Sequence, residues 1–246
     1  MLKRQVQNHR EMSRSLRALD LPPPFRLVTL REAGDAFVHA CAHAPELGAG
    51  VLVFVGRFDL AEFAVVLEPE EALVSTRRAF YAGMAALADA LSGLAPPETP
   101  IGIEWPDRIK VGDGLVGAGR LGWPHPADEE ARPDWLVFGA VVRLVSMRIG
   151  EVSLADEGFG EVAAERLVEG FARHLMMAID HWQEGDFAVI AQSYLARLRP
   201  EPGVRRAIDA SGNLRIARAG SPVTCLSLRP ALAAPSWLGR FCGSAL

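Results

Sequence analysis

Residue types able to do chemistry concentrate in one stretch of this 246-residue chain, Ile103 to Gly119. It reads Ile103-Glu104-Trp105-Pro106-Asp107-Arg108-Ile109-Lys110-Val111, then Gly112-Asp113-Gly114, then Leu115-Val116-Gly117-Ala118-Gly119. An Asp-Gly pair supplies the positive φ angles of a tight hairpin turn. With Asp113-Gly114 as that turn, residue 112 faces 115 and 110 faces 117. Side chains alternate along a strand, so Lys110, Gly112, Leu115 and Gly117 are expected on one face. Ile109, Val111, Val116 and Ala118 are expected on the other, which is apolar and must face a core. Glycine inside a strand costs ~0.5–1 kcal/mol and often marks the close approach of a ligand or another backbone. The Lys110 face is therefore the candidate binding face, with Gly117 and Gly119 expected beside the ligand. The competing reading of Lys110 is a solvent-facing lysine that discourages pairing at a sheet edge.

Further candidates lie around this segment. Arg57 follows Gly56 at the end of an apolar run. A guanidinium there can grip a phosphate or carboxylate, or simply form a surface ion pair. Arg120 and Arg143 are weaker versions of the same reading. Trp105 either lines an acyl or adenine pocket or packs. Three cysteines, Cys41, Cys225 and Cys242, fit no metal motif, and their odd number argues against a disulfide framework. Reduced thiols in a cytoplasm are the simplest account, with Cys41 on an apolar helix pattern as core packing. His174 and His181 are seven residues apart on one helix face without a third ligand, so no metal site is expected.

Bulk properties narrow the function classes. Half the residues are hydrophobic, charged residues make up 23%, and the net charge is −4 with a pI near 5.9. Nucleic-acid binders carry a basic surplus, so no nucleic-acid partner is expected. The basic cluster between Lys3 and Arg17 is followed by no apolar stretch of a secretory signal. No apolar run reaches the ~18 residues of a membrane span. A cytoplasmic protein with no membrane partner is expected.

Periodicity places the elements that must hold these residues. Residues 1–20 read as a polar leader, ended by Pro22-Pro23-Pro24. Phe25–Leu30 reads as a strand and Arg31–His43 as a helix. Val51–Val55 reads as a strand buried on both faces, and Glu62–Leu67 as the next. A long helix covers 70–94. Ile101–Val111 and Leu115–Leu121 form the hairpin. Trp135–Ile149 holds one or two strands, and helices follow at Ala155–Asp180 and Asp186–Leu198. After the linker Arg199–Gly203, three β-like runs begin at Val204, Leu214 and Val223. Hairpin links outnumber crossovers, which gives an α+β fold: a mixed, largely antiparallel sheet with helices packed against it. A domain at 21–198 and a small C-terminal β segment at 199–246 are expected.

The Trp-Pro-Asp stretch, its Gly-rich turn and the Val-Gly-Ala-Gly run resemble the signature of biotin and lipoate protein ligases. That family carries Lys-Trp-Pro-Asn, a strand, a turn, and a lysine just ahead of an Ala-Gly pair. Gly56-Arg57 is similar to the start of its Gly-Arg-Gly-Arg loop, and Phe138–Arg143 sits where the family has a Gly-x-Gly-x-Asn strand. Residues 25–198 agree in element order, and 204–237 resemble a short C-terminal extension of some members. The resemblance implies a class II synthetase-like sheet and a two-step reaction. An acid (biotin, lipoate or octanoate) attacks ATP with Mg²⁺, and a carrier-domain lysine then takes the acyl group. It implies a catalytic lysine at the position of Leu115; Lys110, about one diagonal step away on the same hairpin face, is expected to replace it, with Gly56, Arg57, Trp105, Pro106, Asp107, Gly117, Gly119, Arg120 and Arg143 as substrate and nucleotide contacts. The chain departs from the pattern at several positions. Leu115 stands for the family lysine, Glu104 for the lysine before Trp105, Asp107 for asparagine, Arg108 for aspartate and Arg143 for asparagine. Ser-Thr-Asn at the head of the first helix is replaced by Arg31-Glu32-Ala33. Two functions remain: attachment of a biotin, lipoyl or octanoyl group to a carrier lysine, or a catalytically impaired acyl- or nucleotide-binding module. An octanoyltransferase mode would want a nucleophilic cysteine, and none of the three is convincing.

Overall fold

The computed structural model describes residues 19–32, 34–235 and 237–241. Most of the expected leader therefore lies outside the described residues. The strands β1 (Arg26–Leu30), β2 (Val51–Gly56), β3 (Leu60–Leu67), β4 (Ile101–Glu104), β5 (Arg108–Val111), β6 (Gly114–Gly122) and β7 (Leu136–Arg143) form one sheet. Their order is β1-β2-β3-β7-β6-β5-β4. The β1–β2 pair is parallel, and the other ladders of this sheet are antiparallel. The expected mixed, largely antiparallel sheet is what forms.

Alternation divides the sheet into two sides. Leu52, Phe54, Phe63, Val65, Phe138 and Val142 point into the main core, against α3 (Ala79–Ser92), α4 (Ala164–Glu184) and α5 (Phe187–Ala196). Val51, Val53, Ala64, Val66 and Val137 point the other way, against α1 (Ala36–Leu47). A buried strand such as β2 is hydrophobic at every position because both its faces are covered. Helix α3 can lie close to the sheet because Gly83 and Gly119 have no side chains. A Cβ on Gly83 would stand 2.4 Å from the Phe138 ring, and one on Gly119 would stand 2.5 Å from Met84 Sδ. On the other side, Gly139 leaves room for Phe37 of α1.

Several boundaries differ from the periodicity for local reasons. Helix α1 starts at Ala36, where the Asp35 carboxylate accepts the Val38 N–H at 2.9 Å and caps the helix. The helix expected over 70–94 starts at Leu73, where the Leu73 and Val74 N–H groups donate to the Ala131 and Glu129 carbonyls, and it is divided at Arg77-Arg78 into α2 (Leu73–Thr76) and α3. Helix α4 begins at Ala164 rather than Ala155. Asp156 and Ser153 hold the preceding backbone in a turn, with the Ser153 N–H donating to the Asp156 carboxylate at 2.9 Å. Strand β7 ends at Arg143, after which Leu144 and Val145 both donate to the Asp59 carbonyl.

Strands β8 (Val204–Ile208), β9 (Leu214–Arg218) and β10 (Thr224–Leu226) form a separate antiparallel sheet. It is followed by α6 (Leu228–Ala233) and α7 (Leu238–Phe241), two short helices inside the 199–246 stretch expected to be β. Leu214, Leu228 and Leu232 enter the main core. The buried Tyr81 hydroxyl donates to the Gly212 carbonyl at 2.6 Å and accepts the Trp105 indole N–H at 3.2 Å. One oxygen thus joins α3, the C-terminal sheet and the Trp-Pro loop. A Tyr81→Phe variant strands both partners in poor solvent and is expected to lose about 1–3 kcal/mol of stability. Urea unfolding measures this, and a loss under about 0.5 kcal/mol would contradict the role given to the hydroxyl.

Candidate functional site

The hairpin that carries Lys110 does not adopt the expected register. Val111 pairs with Gly114 and Lys110 with Leu115, so the turn is Gly112-Asp113, with Gly112 at φ 56°. The ladder then slips: Ile109 pairs with Gly117 and Arg108 with Ala118. Val116 is the surplus residue of a β-bulge, which re-aims the strand beyond it. Two expectations are corrected. Lys110 stands opposite Leu115 rather than Gly117. Gly117 and Ala118 exchange sides, so Ala118 faces away from the main core with Leu60 and Val141. Gly117 turns towards Val142, whose Cγ2 a Cβ would meet at 2.9 Å. Gly117 and Gly119 therefore make room for the protein itself, not for a ligand on the Lys110 face.

Lys110 is on the sheet side opposite α3–α5, the side away from the main core. Arg57, Arg120 and Arg143 project from the same side or its rim. Each is held by a carboxylate. Arg57 makes a two-pronged contact with Asp59 at 3.0 and 2.7 Å, and this contact raises the guanidinium pKa. Arg120 meets Asp35 at 2.6 Å and lies 4.2 Å from the Phe37 ring centre. Arg143 is buried, which lowers its pKa; its Nε lies 3.4 Å from Glu151 and its Nη1 donates to the Val152 carbonyl at 3.1 Å. Lys110 Nζ is 3.8 Å from Glu104, which also takes Arg108 at 2.6 Å.

The Trp-Pro-Asp loop sends its members in opposite directions. Proline has no N–H to continue the ladder, and the expected single strand breaks here into β4 and β5. Trp105 packs against the main core rather than the Lys110 face. The Pro106 carbonyl accepts the buried Tyr194 hydroxyl at 2.7 Å. Asp107 points to the other side, where its carboxylate accepts the Trp237 indole N–H at 2.8 Å. Burial pushes the Asp107 carboxyl up to about 6, opposed by that N–H and by Arg108. Gly56 closes β2, paired with Ala61.

Residues that sequence reasoning passed over complete the site. Glu62 accepts the Ala36 N–H at 3.0 Å at the head of α1, and burial raises its pKa. It is the one carboxylate inside the otherwise apolar β3, a visible signal. Asp35 both caps α1 and holds Arg120. Trp237 and Phe241 stack edge to face over Leu60, Ala118 and Val141. No local pattern marks them, because their partners lie on strands far away in sequence. Cys41 is packed against the Gly122 backbone, and burial pushes its thiol up to about 12, so it does not supply a thiolate near neutral pH. Among the described residues, no three His, Cys, Asp or Glu side chains converge on a metal-sized site, and no helix is long and apolar enough to cross a membrane.

The family model for biotin/lipoate A/B protein ligases matches residues 21–196. The chain belongs to the biotin/lipoate A/B protein ligase family. Among solved structures, a biotin protein ligase-like protein of unknown function from Silicibacter sp. superposes with a TM-score of 0.77 at 25% identity, covering 87% of this chain and 99% of that one. The Aquifex aeolicus biotin protein ligase in complex with biotin and ATP gives 0.63 at 12% identity, covering 82% and 95%. The Leishmania major biotin protein ligase in complex with biotinyl-5-AMP gives 0.51 at 16%, covering 84% and 99%. No curated protein sequence matches the chain. This family member thus keeps the biotin ligase-like fold over its main sheet, and Lys110 faces Leu115 across the β5–β6 ladder.

The raised Asp107 pKa has a definite sign. Its folded value, about 6, exceeds the unfolded 3.8, so the carboxyl favours folding when protonated, and this contribution is lost as pH rises from about 4 to 6. An Asp107→Asn variant keeps an acceptor oxygen and cannot ionise. Its stability relative to the parent is expected to improve steadily between pH 4 and 6 and level off above. Urea titrations across that range check this, and a pH-independent difference would contradict it.

Proposed function

We propose that this protein attaches a biotin, lipoyl or octanoyl group to a lysine of a carrier domain, with Lys110 as the catalytic lysine. One observation carries the reading: Lys110 is the direct cross-strand neighbour of Leu115, on the same side of the sheet. Directly opposed side chains start ~4.5–5.5 Å apart, well within the span of a lysine stem. Lys110 can therefore reach the point a lysine at 115 would serve. There its ammonium would hold the acid's carboxylate and offset charge that develops on it. Arg57, Arg120 and Arg143 would order the polar parts of the substrate, and Asp107, Pro106, Gly56, Gly117 and Gly119 would shape the surrounding backbone.

ATP and Mg²⁺ need a separate test against these residues. A triphosphate asks for a surplus of positive charge. Here Arg57, Arg120, Arg143, Lys110 and Arg108 face Asp59, Asp35, Glu151, Glu104 and Asp107, which leaves no surplus. Without a surplus the set does not fit a triphosphate, whereas a singly charged carboxylate needs only to displace the loosely held Glu104 from Lys110, 3.8 Å away. An acyl thioester would supply the acyl group already activated, with the carrier lysine displacing the thiol.

The paired cations favour a second reading, an acid-binding module that retains the fold without transfer. Its partners would be the small-molecule acid alone. The readings separate in one experiment: the protein with a carrier domain, offered biotin, lipoate or octanoate with Mg-ATP, or octanoyl thioester without it. Acylated carrier is expected, and Lys110→Ala should lower its formation roughly a hundredfold. Pyrophosphate release marks the first route and thiol release the second. Acid binding without carrier acylation selects the module, and unchanged transfer by Lys110→Ala removes the catalytic assignment.

A further inference from the structure

The side of the sheet that presents Lys110 is not bare at its centre. Leu60, Leu115, Ala118 and Val141 make a small apolar floor there, contributed by β3, β6 and β7. This floor belongs neither to the main core nor to the one beneath α1. Trp237 and Phe241 from the end of the chain cover it, and Trp237 is only 1% exposed. Cross-strand pairing sets the candidate site residues around it. Leu60 pairs with Arg143 and Leu115 with Lys110. Asp107 binds the indole N–H at 2.8 Å, and the Arg143 guanidinium lies 4.4 Å from the Phe241 ring centre.

We infer that this floor is the pocket for the apolar body of the acid, and that Trp237 and Phe241 occupy it in the unliganded protein. This inference rests on the acid-binding reading above. Three features support it. The floor is apolar while its rim carries Lys110 and Arg143 in ion pairs of 3.8 and 3.4 Å, polar groups placed to fix the head of an acid with a hydrocarbon or ring body. Its cover, residues 237–241, pairs with no strand of either sheet, so it can leave without moving any strand or long helix. The cover and the floor form a cluster of their own, so removing the cover opens neither main core. Binding then requires release of the tail, and the apparent affinity is reduced by the fraction of molecules in which the tail is out.

The test uses the full-length chain and two variants, Trp237→Ala and Phe241→Ala. Calorimetry reads the dissociation constants for biotin, lipoate and octanoate. Hydrogen–deuterium exchange reads residues 237–241 in the unmodified protein with and without saturating acid, which keeps the test valid if a variant fails to fold. The expected result is an acid that binds Trp237→Ala about tenfold tighter or more and speeds exchange at 237–241 in the parent. Binding that is equal or weaker in the variants, with exchange unchanged or slowed, would make the tail a fixed wall and overturn the inference while leaving acid binding intact. If none of the three acids binds any form, the functional reading itself falls, and this inference falls with it.

Discussion

Between Ile109 and Lys110 the β5–β6 ladder slips by one residue, and the side chains of β6 are re-aimed by that slip. A strand has a period of two, so a shift of one residue moves every later side chain to the opposite face. Before the slip, Leu115 lies with Lys110 on the side away from the long helices. Beyond it, Gly119 and Leu121 fall towards α3 and Ala118 and Arg120 fall away from it. Without the bulge, Ala118 would enter the main core and Gly119 would no longer admit Met84. The same irregularity thus allows tight packing of α3 and gathers lysine, arginine and an apolar floor on one surface.

Charge on that surface is balanced. Partly exposed ion pairs are worth about 0–1 kcal/mol each, so Arg57–Asp59, Arg120–Asp35 and Lys110–Glu104 fix geometry more than they stabilise the fold. They also leave the cations exchangeable. An incoming carboxylate can take over a lysine held at 3.8 Å from Glu104 at little cost. Arg143 is different: buried, and tied to Glu151 and a backbone carbonyl, it is a fixed part of the wall.

Much of the architecture could be read from pattern. The all-apolar β2, the hairpin around Asp113 and the helical periodicities gave the sheet and the main helices, because each rests on contacts close in sequence. The residue types of the site were legible too, since lysine, arginine and Trp-Pro-Asp stand out in one segment. The hairpin register was not. Asp113-Gly114 and Gly112-Asp113 can each form a two-residue turn, and the chain takes the second. Nor could the role of the glycines be read, since a glycine beside a ligand and one beside a helix look alike. Trp105 and Asp107 are adjacent, yet one is claimed by Tyr81 and the other by Trp237, partners distant in sequence. Asp35 and Glu62 drew no notice because a cap and a lone strand carboxylate are common, and only their meeting at the head of α1 gives them meaning.

Methyl-resolved NMR during addition of biotin, lipoate or octanoate would test most directly that this surface is the binding site. The shifts are expected to concentrate at Leu60, Leu115, Ala118 and Val141, with the methyl groups of the α3–α4 core unmoved. Shifts centred on the α3–α4 core, with those four methyl-bearing residues unchanged, would contradict the assignment.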